Sequence, residues 1–367
     1  MQERALAERL ITYDTSTLDG IKSAAGFIKG WLEARDVAVA AATHNGRPIL
    51  MATVGGGGGP TIVLHGHLDV VPARREQFEP RSDGDRLIGR GAYDMKGALA
   101  AMMCATRDVA EQQAVRVHFV CVADEEVDEQ THRGTDFLVE QGYTGDLAIT
   151  GEPTDMHIGI QAKGVLAMRV EVAGTAAHGA TPWLGDNAVL KAVDVFRQIE
   201  SLPFARESSD LFDRPSINLG RIVGGDALNK VPELCVIDVT VRYLPGQDPY
   251  EIMAAVRSLP ATTSVSKVLH RVPAIVERSH PFVSALVESV AEGGPAERIS
   301  IGRDGASDAI SFINAGIPAV EFGPVGGGHH GPDEWVSISS LERYRGALVG
   351  FVERLPRDLG KGKLRVA

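Results

Sequence analysis

Five residues able to hold a cation or move a proton stand in loops at or near the carboxyl ends of predicted strands: His67, Asp94, Glu126, Glu152 and His330. Imidazole nitrogen and carboxylate oxygen together make a zinc-type donor set. His67 belongs to Leu64-His65-Gly66-His67-Leu68-Asp69. Residues two apart in an extended segment share a face, so the Asp69 carboxylate is expected to reach the His67 ring and aim its other nitrogen at an ion. His65, on the same alternation, competes for that role. Asp94 lies in Gly91-Ala92-Tyr93-Asp94-Met95-Lys96-Gly97, where glycines permit tight turns before a helix. Asp124-Glu125-Glu126 follows the apolar run from Val115 to Ala123. Crowding makes each of these carboxylates harder to ionise, and cations relieve the repulsion. Neighbours on an extended chain point opposite ways, so one Glu can bind metal while the other faces a reacting water. Glu152 sits in Thr150-Gly151-Glu152-Pro153, and His330 ends the Gly-rich run Gly326-Gly327-Gly328-His329-His330.

Taken singly, each has an ordinary reading. Asp94 caps a helix, the acidic triplet is a solvated turn, Glu152 is an exposed turn carboxylate, and His-x-Asp is a structural pair. Their joint placement argues for chemistry, because loops at the carboxyl ends of strands in an open α/β sheet converge on one crevice.

The elements that must position them are legible as apolar runs. Thr61 to Leu64, Val115 to Ala123, Leu147 to Thr150 and Ile317 to Phe322 are nearly unbroken, with a helical pattern from Gly97 to Val109 between some of them. Such runs predict strands buried on both faces of a mostly parallel sheet. Between about Lys163 and Arg271 the texture changes: Leu166 to Val172 and Val236 to Val241 alternate, while Asn187 to Glu200 has helical periodicity. This predicts an inserted α+β domain at 163–272 that divides an α/β domain into 1–162 and 273–367. A chain of 367 residues suits one large domain and one smaller one.

A net charge of -11 without a basic stripe argues against nucleic acid as a partner. No apolar run approaches membrane-spanning length and the first residues lack the basic and apolar regions of a signal peptide, so a cytoplasmic location is expected. Cys104, Cys121 and Cys235 are too widely spaced for a zinc ribbon and are expected to be buried small hydrophobes. Gly55 to Gly59 lacks the Lys-Ser or Lys-Thr of a phosphate loop and is expected to be a flexible connection. Gly89-Arg90-Gly91 begins like a dinucleotide fingerprint, but Asp94 replaces the third glycine and no clear strand leads into it.

In order along the chain, His65-Gly66-His67-Leu68-Asp69-Val70-Val71-Pro72, Gly89-Arg90-Gly91 through Asp94-Met95-Lys96-Gly97, Asp124-Glu125-Glu126, Gly151-Glu152-Pro153 and His330-Gly331-Pro332-Asp333-Glu334 resemble the motifs of the M20 family of metallopeptidases and deacylases. The resemblance implies two zinc ions per subunit, with cobalt able to substitute. His67 and Glu152 would hold one, Glu126 and His330 the other, with Asp94 between them. Glu125 would be the general acid and base, and Asp69 the partner of His67. It further implies a ferredoxin-like inserted domain that makes a homodimer and carries His178, from Gly174-Thr175-Ala176-Ala177-His178, to an active site. Asn229 and Arg242 resemble the family's substrate-binding residues, and Gly305-Ala306-Ser307-Asp308 its late substrate loop. The implied reaction is removal of the acyl group from a small N-acyl amino acid, of the acetylornithine or succinyl-diaminopimelate type. A dipeptidase or carboxypeptidase is the alternative, and a catalytically silent, metal-bound dimer that binds amino-acid derivatives is a further one.

Overall fold

In the computed structural model, which describes residues 2–127, 132–292, 300–305 and 307–360, the chain forms two compact units. The first comprises Met1–Ile160, Val276–Ile301 and Ser307–Ala367; the second comprises Gln161–Ile275 with a short segment from Gly302.

A sheet organises the first unit. Its strands run in the order Val39–His44, Arg47–Gly55, Arg116–Val122, Thr61–His67, Leu147–Thr150, Ala319–Phe322, Ile158–Ala162. The four central strands are parallel neighbours: His67 lies beside Val122, His65 beside Thr150, and Thr150 beside Glu321. Antiparallel pairings are confined to the flanks. Leu147–Thr150 and Ala319–Phe322 are buried at every position, as near-continuous apolar strands covered on both faces must be. Because parallel strands end on one edge, the loops that follow Val122, His67, Thr150 and Phe322 all leave from the same side of the sheet.

The helix Gly97–Asp108 is buried from Gly97 through Thr106. Its Ala-Leu-Ala-Ala-Met-Met-Cys-Ala run has no polar face, which fits a helix enclosed by protein. Two glycines let the segment before it approach the strand ends. A Cβ on Gly66 would stand 2.8 Å from Met95 Cε, and one on Gly151 only 2.4 Å from it. Gly55 to Gly59 is more than a flexible connection, because a Cβ on Gly56 or Gly59 would meet the carbonyl oxygen of Gln113 or Ala114 at 1.9 Å. A strand does lead into Gly89: Arg86–Ile88 belongs to a small antiparallel sheet with Arg81–Asp83, Trp335–Ser337 and Gly326–Gly327. Three residues were too few to be read as a strand from periodicity. Among the described residues no helix is long and apolar enough to cross a membrane, and all three cysteines are free and buried.

The second unit is a four-stranded antiparallel sheet, ordered Ser216–Gly224, Leu234–Tyr243, Gly164–Ala173, Thr262–Arg271. The helices Ala188–Ile199 and Pro249–Arg257 complete a βαββαβ chain order, the ferredoxin-like arrangement. Alternation is clean in Leu234–Tyr243, where Cys235, Ile237, Val239, Val241 and Tyr243 are buried and their neighbours are not. They pack with Leu166, Met168, Val170 and Val172 and with Ala192, Val195 and Ile199 of the first helix. That helix is capped by Asn187, whose side chain accepts from the amides of Val189 and Leu190.

Candidate metal centre

At the carboxyl edge of the first unit's sheet, His67, Asp94 and Glu152 present ligand atoms that all lie within 4.8 Å of one another, and Asp94, Glu126 and His330 do the same. Asp94 belongs to both groups and offers a different oxygen to each. Its Oδ1 is 3.1 Å from His67 Nε2 and its Oδ2 is 3.6 Å from His330 Nε2. His330 Nε2 also lies 3.0 Å from Glu126 Oε1. The spacing of the donors suits two cations that share one carboxylate.

The electrostatics of these side chains point the same way. Burial, reinforced by the charge of Asp94, drives the Glu152 carboxyl well above the usual range, and its Oε1 is buried with no hydrogen-bond partner among the described residues. An orphaned buried carboxylate oxygen is costly unless something satisfies it, so the donor set fits a bound cation. Burial also works against ionisation of Asp94, yet hydrogen bonds from His330 and His67 hold it well below the ordinary carboxylate value. Bonds to Asp94 and Glu126 raise His330 to about 10.

Asp94 is not a helix cap. It lies in a kinked turn entered through Gly91 at φ 78, and the helix behind it begins at Gly97. Glu334 holds that turn in place. One of its oxygens accepts from Arg90 Nη1 and the Gly91 amide, both at 2.8 Å, and the other from the amides of Tyr93 and Asp94, both at 3.0 Å. Arg90 Nη2 reaches the carbonyls of His330 and Gly331, each at 3.1 Å. One buried ion pair therefore ties the Asp94 turn to the His330 loop. Both residues fall inside motifs quoted from the sequence, but their pairing across 244 positions has no local signal.

Asp69 departs from its expected geometry. The His67 Nδ1 contact at 3.0 Å is with the Asp69 backbone carbonyl, while the carboxylate stands 3.7 Å away. That carboxylate instead accepts from the amides of Glu126 at 2.9 Å and Glu125 at 3.3 Å. The strand stops at His67, so the two-residue alternation ends there and the side chain swings to the neighbouring strand's exit. His65 is in neither group of ligands. It is fully buried, its Nε2 meets Thr135 Oγ1 at 2.8 Å, and burial lowers its pKa to about 4.

Glu125 and Glu126 lie in a turn, not in an extended segment, and still diverge: Glu126 faces His330, whereas Glu125 Oε1 accepts from Arg133 Nη1 at 2.9 Å. Burial, with Asp308 close by, pushes Glu125 up to about 7 against the opposing pull of His67 and Arg133. A carboxyl that burial raises above the usual carboxylate range is suited both to take and to give a proton. Two side chains of the 305–308 loop turn into the protein: Ser307 Oγ donates to Glu321 Oε1 and Asp308 accepts from Arg133 and Thr135, while Ala306 lies outside the described residues.

In the second unit His178 and Asn229, 51 positions apart, are neighbours. The Gly179 amide donates to the Asn229 carbonyl at 2.7 Å, and His178 Nδ1 accepts from the Ala180 amide at 3.0 Å. Both side chains are exposed. Arg242 is half-buried near the end of Leu234–Tyr243, paired with Ser216 and Val165.

An open α/β sheet presenting paired His and carboxylate groups at its carboxyl edge is the layout of a metal-dependent hydrolase. The sequence comparisons agree: the chain belongs to peptidase family M20/M25/M40, whose profile matches residues 63–354. The succinyl-diaminopimelate desuccinylase of Sphingopyxis alaskensis is 30% identical over 322 residues, covering 82% of this chain and 84% of that protein. A probable carboxypeptidase of Emericella nidulans is 34% identical over 214 residues, 53% of this chain and 50% of its own length. Among solved structures, aminopeptidase PepT from Bacillus cereus superimposes with a TM-score of 0.78 at 18% identity, covering 96% of this chain and 98% of that one. An M20 metallo-carboxypeptidase from Sulfolobus solfataricus gives 0.77 at 17% identity, covering 97% of this chain and all 100% of the other. The expected family and fold are thus correct, and the family is generally metal-dependent.

Proposed function

We propose that this protein is a two-zinc amidohydrolase that removes the acyl group from a small N-acyl amino acid, with cobalt able to replace zinc. The observation that carries the reading is the Asp94 carboxylate, one oxygen turned to His67 and the other to His330, with Glu125 next to the Glu126 of the second group and its Oε1 held by Arg133. His67 and Glu152 would hold one ion and Glu126 and His330 the other. Bound there, the ions would supply Lewis acidity for the acyl carbonyl and acidify a water.

Glu125 takes a proton from the attacking water as the new C–O bond forms. It returns that proton to the amine nitrogen as the C–N bond breaks, because an amine leaves poorly as an anion. The products are a free carboxylate and a free amine. On the family resemblance His178 stabilises the oxyanion, and Asn229 and Arg242 hold the substrate; Arg242 offers a planar fork suited to a carboxylate. The same resemblance supports a cytoplasmic homodimer formed through the inserted domain, whose described surface exposes Trp183, Leu184 and Leu190.

Similarity to desuccinylases over most of the chain favours an acyl amino acid. The carboxypeptidase relative keeps a dipeptide or peptide substrate as the second reading. The test is amine release, detected with ninhydrin, from N-acetyl amino acids, N-succinyl-diaminopimelate and dipeptides, using zinc- or cobalt-loaded protein with a chelated control. Chelator-sensitive release from one acylated class supports the proposal. Release only from dipeptides replaces it with a peptidase, and silence with metal bound favours a binding protein.

A further inference from the structure

Arg133 lies eight residues beyond Glu125 and immediately precedes the helix Gly134–Glu140. It is 8% exposed. A single guanidinium nitrogen, Nη1, donates to both Glu125 Oε1 and Asp308 Oδ1 at 2.9 Å. Asp308 is fixed in its turn, because Oδ2 accepts from Thr135 Oγ1 at 2.6 Å and Thr135 Oγ1 lies 2.8 Å from His65 Nε2. Arg133 Nε, by contrast, is buried without a hydrogen-bond partner among the described residues. Had the arginine served stability alone, leaving a buried donor idle would be a poor arrangement. What it accomplishes is geometric: one nitrogen locks a carboxylate of the proposed centre to a carboxylate anchored in the core.

We infer that Arg133, braced by Asp308, is a positioning residue that sets the Glu125 carboxylate for proton transfer. The inference rests on the reading of Glu125 as the base. Glu125 is held at both ends, by Arg133 at Oε1 and by Asp69, which accepts from its backbone amide. Among the described residues Oε1 is the oxygen engaged, and we assign Oε2 to the water. A long carboxylate side chain has several rotamers, and only those that bring this oxygen within hydrogen-bond reach of the water can act. Arg133 selects among them without touching substrate.

The experiment compares Arg133→Met, Arg133→Lys, Arg133→Gly and Glu125→Gln with the parent protein, all zinc-loaded, on the best-hydrolysed compound of the acyl amino acid and dipeptide panel. Arg133→Met should lower kcat about 10²-fold, the scale expected of a catalytic group displaced by an ångström. KM should stay within about threefold, since the ground-state contacts remain, and metal content by mass spectrometry should be unchanged. Arg133→Lys keeps a cation between the two carboxylates and should recover part of the loss. Methylguanidinium should bind Arg133→Gly in a calorimeter and restore its turnover. The inference is overturned if Arg133→Met turns over like the parent. It is also overturned if Arg133→Gly neither binds nor is rescued by methylguanidinium, or if the loss tracks lost metal. In those cases an inactive Glu125→Gln leaves the base reading standing. Parent-like turnover by Glu125→Gln removes that reading, and the inference with it.

Discussion

Asp94 is the residue that the two candidate groups of ligands share, and the proposed two-ion centre would depend on its members unequally. Replacing Glu126, which belongs to one set, should cost one ion; replacing Asp94 should cost both. Metal analysis after dialysis is expected to return about one ion per chain for Glu126→Gln and close to none for Asp94→Ala, with correspondingly different residual turnover. Equal stoichiometry in the two variants would contradict a shared carboxylate. Away from the site, His118 offers a separate test. Burial and then Arg116 lower its pKa to about 4, and its Nδ1 lies 2.8 Å from Thr53 Oγ1. An unfolded chain binds that proton near pH 6.5, at the usual value of about 6.5, so between there and about 4 the unfolded state carries more protons. The contribution of neutral His118 is full above pH 6.5 and is lost as the pH falls toward 4. Urea midpoints for the parent should therefore fall more steeply across that window than those of His118→Asn, and parallel curves would refute the assignment.

Local elements show why part of the site could be read directly and part could not. Glu126 and Glu152 were visible just past apolar runs, His67 at the end of one, and Asp94 and His330 beside glycines that mark turns, all of them local features. The strand pairings that align those ends were implied by the unbroken apolar pattern, which fits only strands covered on both faces. What escaped was contact between distant segments. The Arg90–Glu334 pair, Arg133 between Glu125 and Asp308, and the swing of Asp69 toward the Glu125 and Glu126 amides follow from where strands stop and which loops converge. Gly66 and Gly151 occupy a middle ground: both appear in the motifs, but their need for space emerges only with Met95 in place. Gly151→Ala should lose about 1–3 kcal/mol of stability in chemical denaturation, because the Met95 side chain has to move. Arg90→Met leaves Glu334 buried without its counter-charge and should cost about 3–5 kcal/mol. It should also loosen metal binding, since the Asp94 turn and the His330 loop lose their tie.

For the molecule as a whole, composition set the class early: a moderately acidic chain with ample apolar content and no basic stripe. The change from unbroken to alternating apolar pattern marked the ferredoxin-like sheet, whereas the short Arg86–Ile88 strand and the assignment of the 302–305 segment to the second unit left no periodic trace. The proposed homodimer gives a prediction at this scale. Trp183→Asp with Leu190→Asp should shift the sedimentation coefficient to that of a single chain, whereas a parent protein that already sediments as a monomer would rule the dimer out.

One strand of the first unit has a bearing on how the protein is made. Ala319–Phe322 sits between Leu147–Thr150 and Ile158–Ala162, so a slot in the sheet stays open until Phe322 has left the ribosome, long after both neighbours have. Until then Leu147–Thr150 offers unpaired backbone to any other nascent strand, a hazard for aggregation. The four-stranded sheet of the second unit, complete at Arg271, has no such wait. Synthesis arrested before Ala319 should therefore yield polypeptide in which the ferredoxin-like sheet resists protease while the larger sheet is digested, and it should depend on chaperones to stay in solution.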